Sequence, residues 1–409
     1  MANTLKFGNE NWATKKDSIL AYNDENANFK PLPFVTSRAS TATRVNKLGL
    51  IEKVAVGIPR VDYLENTKGA YLLEPVRTNL ITYSEDFSQW TNSNSFDLSN
   101  QIISPNGTLN ADKLITNNGS INGQITKTLT KSASAITYNY SVFAKKGEWN
   151  RCNIYVSDSG SFSNRVQFFV DLETGNVIQA TTAGAFSSAI GSSENYGNGW
   201  YRFSVKFTTG TETAITVRNY SIDSVATNGD GTSGVYIYGA QLEEASYPTS
   251  YIPTSGSAIT RLADTASQTV PDGVIGQTVG GVVYMDFIAQ NSQGLSQSHF
   301  WMGSLGSEIG VYGSNPLIFY SSGGVSIQGA NLVTGERYKI ALAFETNDYA
   351  AYVNGVQIGV DLSATYPNMS SIYLNAYNNG TEIQKKKIND FRLYNTRLSN
   401  SELATLTTI

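Results

Sequence analysis

From Asn79 to about Tyr247, apolar and polar side chains alternate in short runs, and clusters of Gly, Asn, Asp and Ser separate one run from the next. TYNYSVFAKKG, RVQFFVDLETGNV, GWYRFSVKFTTGT, AITVRNYSI and GVYIYGAQLE are the clearest, all rich in Val, Ile, Phe and Tyr. A period of two sends successive side chains to opposite faces of a strand, and β-branched and aromatic residues fit its pleated surface. No stretch of this region sustains a helical period. Strands at this spacing predict a sandwich; an α/β fold would interleave amphipathic helices of about 10 to 15 residues.

A second series follows in GGVVYMDFIAQ, HFWMGSL, LIFYSS, RYKIALAFE, YAAYVNGVQI, SIYLNAY and KKINDFRLY. Within it, Asn354 and Gly355 form the pair that a type I′ hairpin requires. The intervening ASYPTSYIPTSGSAITRLAD, with two prolines and many hydroxyl residues, favours extended backbone and marks the boundary. After Tyr394 the pattern changes, and Ser399 with Glu402 three residues on predicts a capped terminal helix. The first 78 residues carry more charge and mix short strands with irregular segments; in ATRVNKLGLIEKV, Asn46 to Gly49 reads as a hairpin turn. The expectation is an all-β chain with two β-sandwich (jelly-roll) domains, at 79–254 and 265–409, after a small irregular N-terminal attachment or assembly region at 1–78.

Charged residues make up 15% of the chain, and Gly (36) and Tyr (24) are abundant, which suits short strands and many turns. The net charge is -4, and the only basic run, Lys385 to Lys387, reads as solvated. Phosphate binding relies on clustered Lys and Arg, so no nucleic-acid partner is expected. The opening MANTLKFGNENW lacks the apolar stretch of a signal peptide, and no segment approaches about 18 apolar residues, so a soluble chain without membrane insertion is expected. The single cysteine, Cys152, excludes an intrachain disulfide and reads as a small buried hydrophobe.

Catalytic arrangements find little material. A Ser-His-Asp or Cys-His site needs a histidine, and the only one, His299, reads as a strand-edge residue; with one His and one Cys a zinc site cannot be built. Neither a GxGxxG opening a helix nor a Walker-type loop occurs. Glycoside hydrolysis needs only two carboxylates, and 33 acids are available, but no E-x-D-x-x-E strand motif places them on one face. The expectation is a chain without enzymatic activity. For ligand binding, Trp149, in the polar turn KKGEWNR, and Trp301, close to His299, are the candidate aromatic platforms, whereas Trp90 and Trp200 read as core.

RTNLITYSEDFSQW, PNGTLNADKL, GNGWYRFSV and GVYIYGAQLEEASYPTSYIPTSGSAITRLAD resemble the carbohydrate-binding-module-like jelly rolls of tailed-phage structural proteins. YAAYVNGVQI and NDFRLYNTRLSNSELATL are similar to the late strands and end of concanavalin-like, laminin-G-type domains. The opening thirty residues resemble phage fibre N-termini more weakly. These resemblances imply a virion fibre, of head or tail, made in the host cytoplasm and displayed on the particle. They imply a homotrimer joined to other virion proteins through its N-terminal region and binding host-surface or mucosal glycans. They also imply that calcium could be held by Glu85, Asp86 and Asp112, for which the alternative is a turn and cap role. Two other functions stay open: a capsid decoration protein that binds no glycan, and a polysaccharide depolymerase.

Overall fold

The computed structural model describes residues 4–23, 28–160, 162–222, 228–269, 280–289, 298–304, 307–313, 316–329, 331–365, 371–374 and 385–409. The fold is all-β, with a 3-10 turn at Phe87–Gln89 and an α-helix at Asn400–Thr407 among the described residues. The chain forms two compact units. One comprises Met1–Arg44, Val54–Val76 and Leu262–Ile409, the other Val45–Lys53 and Arg77–Arg261.

This division differs from three consecutive segments. Thr4–Gly8 pairs antiparallel with Lys386–Tyr394, and Asn28–Ser37 pairs with Thr265–Thr269, so the N-terminal residues complete the sheets of the last 148 rather than standing apart. Leu5, Phe7, Ile19 and Phe34 are buried in one core with Val283, Phe300, Leu342 and Phe391. The reason is burial: alternate residues of these N-terminal strands are apolar, and the C-terminal strands alone would leave that side of their core in water.

In this first unit one layer runs through Thr4–Gly8, Lys386–Tyr394, Gly281–Ala289, Arg337–Phe344, Tyr349–Val353 and Val356–Asp361. The other runs through Ser18–Asn23, Asn28–Ser37, Thr265–Thr269, Ser371–Leu374, Ser298–Ser304, Ser307–Tyr312, Ile318–Ser321 and Val325–Gln328. Asn354 and Gly355, at φ 49° and 84°, make the expected hairpin turn between Val353 and Val356. The terminal helix carries the expected capping box of Ser399 and Glu402, and its Leu403 packs on Val282, Ala341 and Tyr352.

One network of four charged side chains lies inside this unit. Asp264 accepts hydrogen bonds from Arg38 Nη1 at 2.7 Å and from Arg60 Nη2, while Arg60 Nη1 also donates to Glu74 at 2.9 Å; none is more than 2% exposed. Burial disfavours the Arg60 charge, but Asp264 and Glu74 outweigh it and hold the guanidinium above its ordinary pKa. The lysine run is also buried, contrary to its reading as solvated. Lys387 pairs with Asp62 at 3.0 Å, and Lys386 lies over the Phe287 ring, its ammonium pushed well below the usual range by desolvation. The apolar lysine stems, more than their charge, fit the strand face they occupy.

The second unit is a sandwich of two six-stranded antiparallel sheets. The first has the order Thr91–Ser93, Gln124–Thr130, Ala214–Ile222, Arg151–Asp158, Arg165–Asp171, Val177–Ala183. The second has Ser95–Ile103, Leu109–Thr116, Gly234–Glu243, Thr137–Lys145, Trp200–Thr208, Ser187–Gly197. Their facing sides bury Ile125, Ile154, Phe168, Tyr140, Phe203 and Ile237 among others. Cys152 is fully buried there, as expected for a small hydrophobe. The Asn46 to Gly49 turn forms as expected, with Gly49 N–H donating to Asn46 O at 3.0 Å.

Candidate functional site

Alternation along the first sheet of the second unit sends Cys152, Ile154, Val156, Val166, Phe168, Ile215 and Val217 into the core. The residues between them must therefore populate the opposite face. Strand register aligns these in cross-strand rows. One row is Gln124, Tyr220, Asn153, Phe169 and Gln179; the next is Thr126, Arg218, Tyr155, Gln167 and Thr181. Among the described residues this face carries two tyrosines, a phenylalanine, an arginine and four side-chain amides; Asn153, Tyr155 and Arg218 are buried, and Tyr220 and Phe169 are half-buried.

Arg218 anchors the centre of this face. Its Nη1 donates to Ser157 Oγ at 2.8 Å and to Thr216 O at 3.2 Å, and burial pushes its pKa down. The guanidinium carbon lies 5.5 Å from the Tyr155 ring centre and 4.4 Å from that of Phe162. Phe162 has φ 57°, a left-handed conformation unusual for a bulky side chain, and is 46% exposed. The rings of Tyr155 and Tyr220 meet edge-on at 6.1 Å. Asn153 Oδ1 and Gln124 Oε1 are shielded from solvent and accept a hydrogen bond from no described residue. Each such acceptor costs about 1–3 kcal/mol until a donor reaches it. Chemically, the half-buried rings of Tyr220 and Phe169 can meet a flat apolar surface, and the row can supply acceptors to hydroxyl or amide donors.

Sequence reasoning missed these residues. The period-two signal in RVQFFVD and AITVRNYSI separates their inward from their outward positions. What it lacks is the information that Gln124, Tyr220, Asn153 and Phe169 are neighbours, because register joins strands up to 96 residues apart.

The three acids expected to serve calcium do come together. Glu85, Asp86 and Asp112 line a pocket of about 330 Å³ with Ser99, Asn100, Asn110, Thr254 and Ser255. At least one oxygen of each is hydrogen-bonded. Glu85 Oε1 accepts from the Tyr238 and Tyr251 hydroxyls at 2.9 and 3.1 Å, Asp86 Oδ1 from Ser88 Oγ at 2.6 Å, and Asp112 Oδ1 from Asn100 N–H at 2.9 Å. Among the described residues no group of three or more acidic, His or Cys side chains is arranged to hold a metal ion. Calcium takes six to eight oxygens; besides the acids, the pocket offers the Asn110 Oδ1, which is shielded and meets no described donor. Burial, with some repulsion from Asp97 and Asp86, pushes Asp112 up to about 6.

This pocket borders the structural seam of the unit. Asn79 Nδ2 donates to Ala240 O and Ile252 O, Tyr251 donates to Ser84 Oγ, and Ile252 N–H donates to Gln241 Oε1 at 2.7 Å. The phrases RTNLITYSEDF and GVYIYGAQLEEASYPTSYIPTSG are therefore distinctive because they fasten one another through buried polar groups.

The two candidate tryptophans are both in cores. Trp149 is 7% exposed and packs with Cys152 and Leu172 although its neighbours are polar, because the turn folds back and its N–H reaches Gly234 O at 3.2 Å. Trp301 is 3% exposed and stacks on Tyr320 at 5.7 Å. Neither offers an open ring face, so neither is a direct platform. Trp90 and Trp200 are buried as expected, their Nε1 donating to Tyr83 O and Ile103 O. His299 is buried within its strand rather than at an edge; Nε2 meets Gly313 O at 2.8 Å, and desolvation holds its pKa well below 6.5.

No family model matches the chain, and no curated protein matches it. Among solved structures it is similar to the CBM40 module of the Ruminococcus gnavus IT-sialidase bound to alpha2,3 sialyllactose, at 15% identity, 32% of this chain, 85% of that chain and a TM-score of 0.28. Mouse laminin alpha1 domains LG4-5 match at 12% identity over 70% of this chain and 90% of that chain, with a TM-score of 0.25. Trypanosoma rangeli sialidase in complex with the inhibitor DANA matches at 10% identity over 96% and 89%, with a TM-score of 0.30. Likenesses at this level carry no inference about what this chain binds.

Proposed function

We propose that this chain is a non-catalytic glycan-binding protein of a bacteriophage particle, and that the face around Tyr220 and Phe169 holds the sugar. One observation carries the reading: shielded acceptors, Asn153 Oδ1 and Gln124 Oε1, stand in one row with the half-buried rings of Tyr220 and Phe169, on the side of the sheet opposite its sandwich core. A pyranose ring pairs an apolar face, suited to tyrosine, with hydroxyl donors suited to those acceptors. No carboxylate stands in either row, which favours binding over hydrolysis.

The virion assignment is supported by the sequence phrases that resemble phage structural proteins, and a head or tail fibre is the form proposed. Binding through several copies fits that role, since tethered weak sites gain about 10² to 10⁴ in avidity. We take the assembly as a homotrimer, three times the 44.3 kDa chain in a sedimentation experiment.

A glycan array probed with the intact protein and with Tyr220→Ala tests the site. The native protein should bind at least one host-surface or mucosal glycan, and Tyr220→Ala should weaken this at least tenfold with an unchanged circular dichroism spectrum. Binding that survives Tyr220→Ala removes this face as the site. An array on which the native protein binds nothing favours a decoration protein, and release of reducing ends from host polysaccharide favours a depolymerase.

A further inference from the structure

The first unit carries a groove of about 410 Å³ across three strands from three distant parts of the chain, lined by Pro33 and Val35, by Ser267, Gln268 and Thr269, and by Ser371 and Tyr373. The volume lies in the roughly 300–1,000 Å³ range of small-ligand sites. Its shape follows from residue size. Register places Val35, Ser267 and Tyr373 side by side, so a small hydroxyl residue on the middle strand lies between two larger ones. One pair along, Thr269 faces Ser371, so two small hydroxyl residues extend the floor.

The row continues into an aromatic run. Tyr373 is paired with Trp301, Trp301 with Gly310, and Gly310 with Tyr320. A Cβ on Gly310 would lie 2.1 Å from the Trp301 ring, so glycine at this position lets the indole lie across the strand and stack on Tyr320, with planes 14° apart. Trp301 itself is buried; Tyr373, half-buried, is the ring that borders the open groove.

Among the described residues the lining is uncharged: three aliphatic hydroxyls, one phenol, one amide and two apolar residues. A carboxylated or sulfated ligand would find no cation in this lining to replace its water, and an unpaired ion pays heavily for desolvation. We infer that this groove is a second glycan site, distinct from the Tyr220 face, and that it takes neutral oligosaccharides. The inference rests on the reading of the chain as a glycan binder.

Isothermal titration of the full chain with maltohexaose, cellohexaose and mannohexaose, and in parallel with 3′-sialyllactose and an oligogalacturonate, tests it. At least one neutral probe should bind. Its affinity should fall at least tenfold in Tyr373→Ala and in Thr269→Arg, which crowds the rim from an exposed position, while Tyr220→Ala leaves it unchanged. Affinity unaltered by both groove variants, or binding of acidic probes alone, overturns the inference. Loss of array binding in Tyr220→Ala alongside that result leaves the first site standing, so the two readings fail separately.

Discussion

Asp264 neutralises two buried guanidiniums at once, which makes its removal the sharpest test of how the first unit is held together. With Arg38, Arg60, Glu74 and Asp264 the network is electrically balanced; Asp264→Ala leaves one net positive charge where no side chain is more than 2% exposed. It also strips the Glu74 N–H of its acceptor at 3.0 Å. Breaking a buried pair from one side costs about 3–5 kcal/mol, a large part of the roughly 5–15 kcal/mol that stabilises a domain. The assay is amide hydrogen exchange followed by mass spectrometry on the peptide spanning Lys386–Tyr394, which pairs with both an N-terminal and a C-terminal strand. Since each 1.4 kcal/mol is tenfold, its exchange should accelerate about a hundred- to several-thousand-fold, while Arg151–Asp158 in the other unit serves as the internal reference. Leucine at both 38 and 264 should recover much of the loss, because Arg60 and Glu74 then remain a balanced pair. An acceleration below about fivefold in Asp264→Ala, roughly 1 kcal/mol, would refute the reasoning.

Two further outcomes are expected. Asp112 titrates near 6 when folded and near 3.8 when unfolded, so between these values the folded state keeps a proton that the unfolded state releases. Stability therefore falls as pH rises through that window and levels off about 3 kcal/mol lower above it. Urea unfolding of the second unit at pH 3.5 and pH 7.5 should show this difference shrinking in Asp112→Asn; an equal pH dependence in both proteins would contradict the assignment. The fragment 262–409, expressed alone, should lack the sharp near-ultraviolet spectrum of a packed core, because Leu5, Phe7, Ile19 and Phe34 are missing from it. A cooperatively melting fragment would show that the N-terminal strands are dispensable.

How far the sequence could be read depended on whether the determining interaction was local. The Ser399 and Glu402 box, the Asn354-Gly355 turn and the Asn46 to Gly49 hairpin were legible because each is completed within a few residues. The three pocket acids were legible as a group through the phrases around them. Trp149 was misjudged because its environment was inferred from its polar neighbours in the chain, while its ring meets the sandwich interior. Lys386 and Lys387 were misjudged for the same reason.

By itself the sequence determined the class of the fold: period-two alternation with turn residues between the runs cannot be satisfied by helices, and a half-apolar strand must bury one face. Tertiary structure alone decided which strands are neighbours. That choice put residues 4–8 beside 386–394, gathered Gln124, Tyr220, Asn153 and Phe169 into one row, and hollowed the groove between Val35 and Tyr373. Register between distant strands is set by the summed burial of whole faces, a quantity that no single segment of the chain carries.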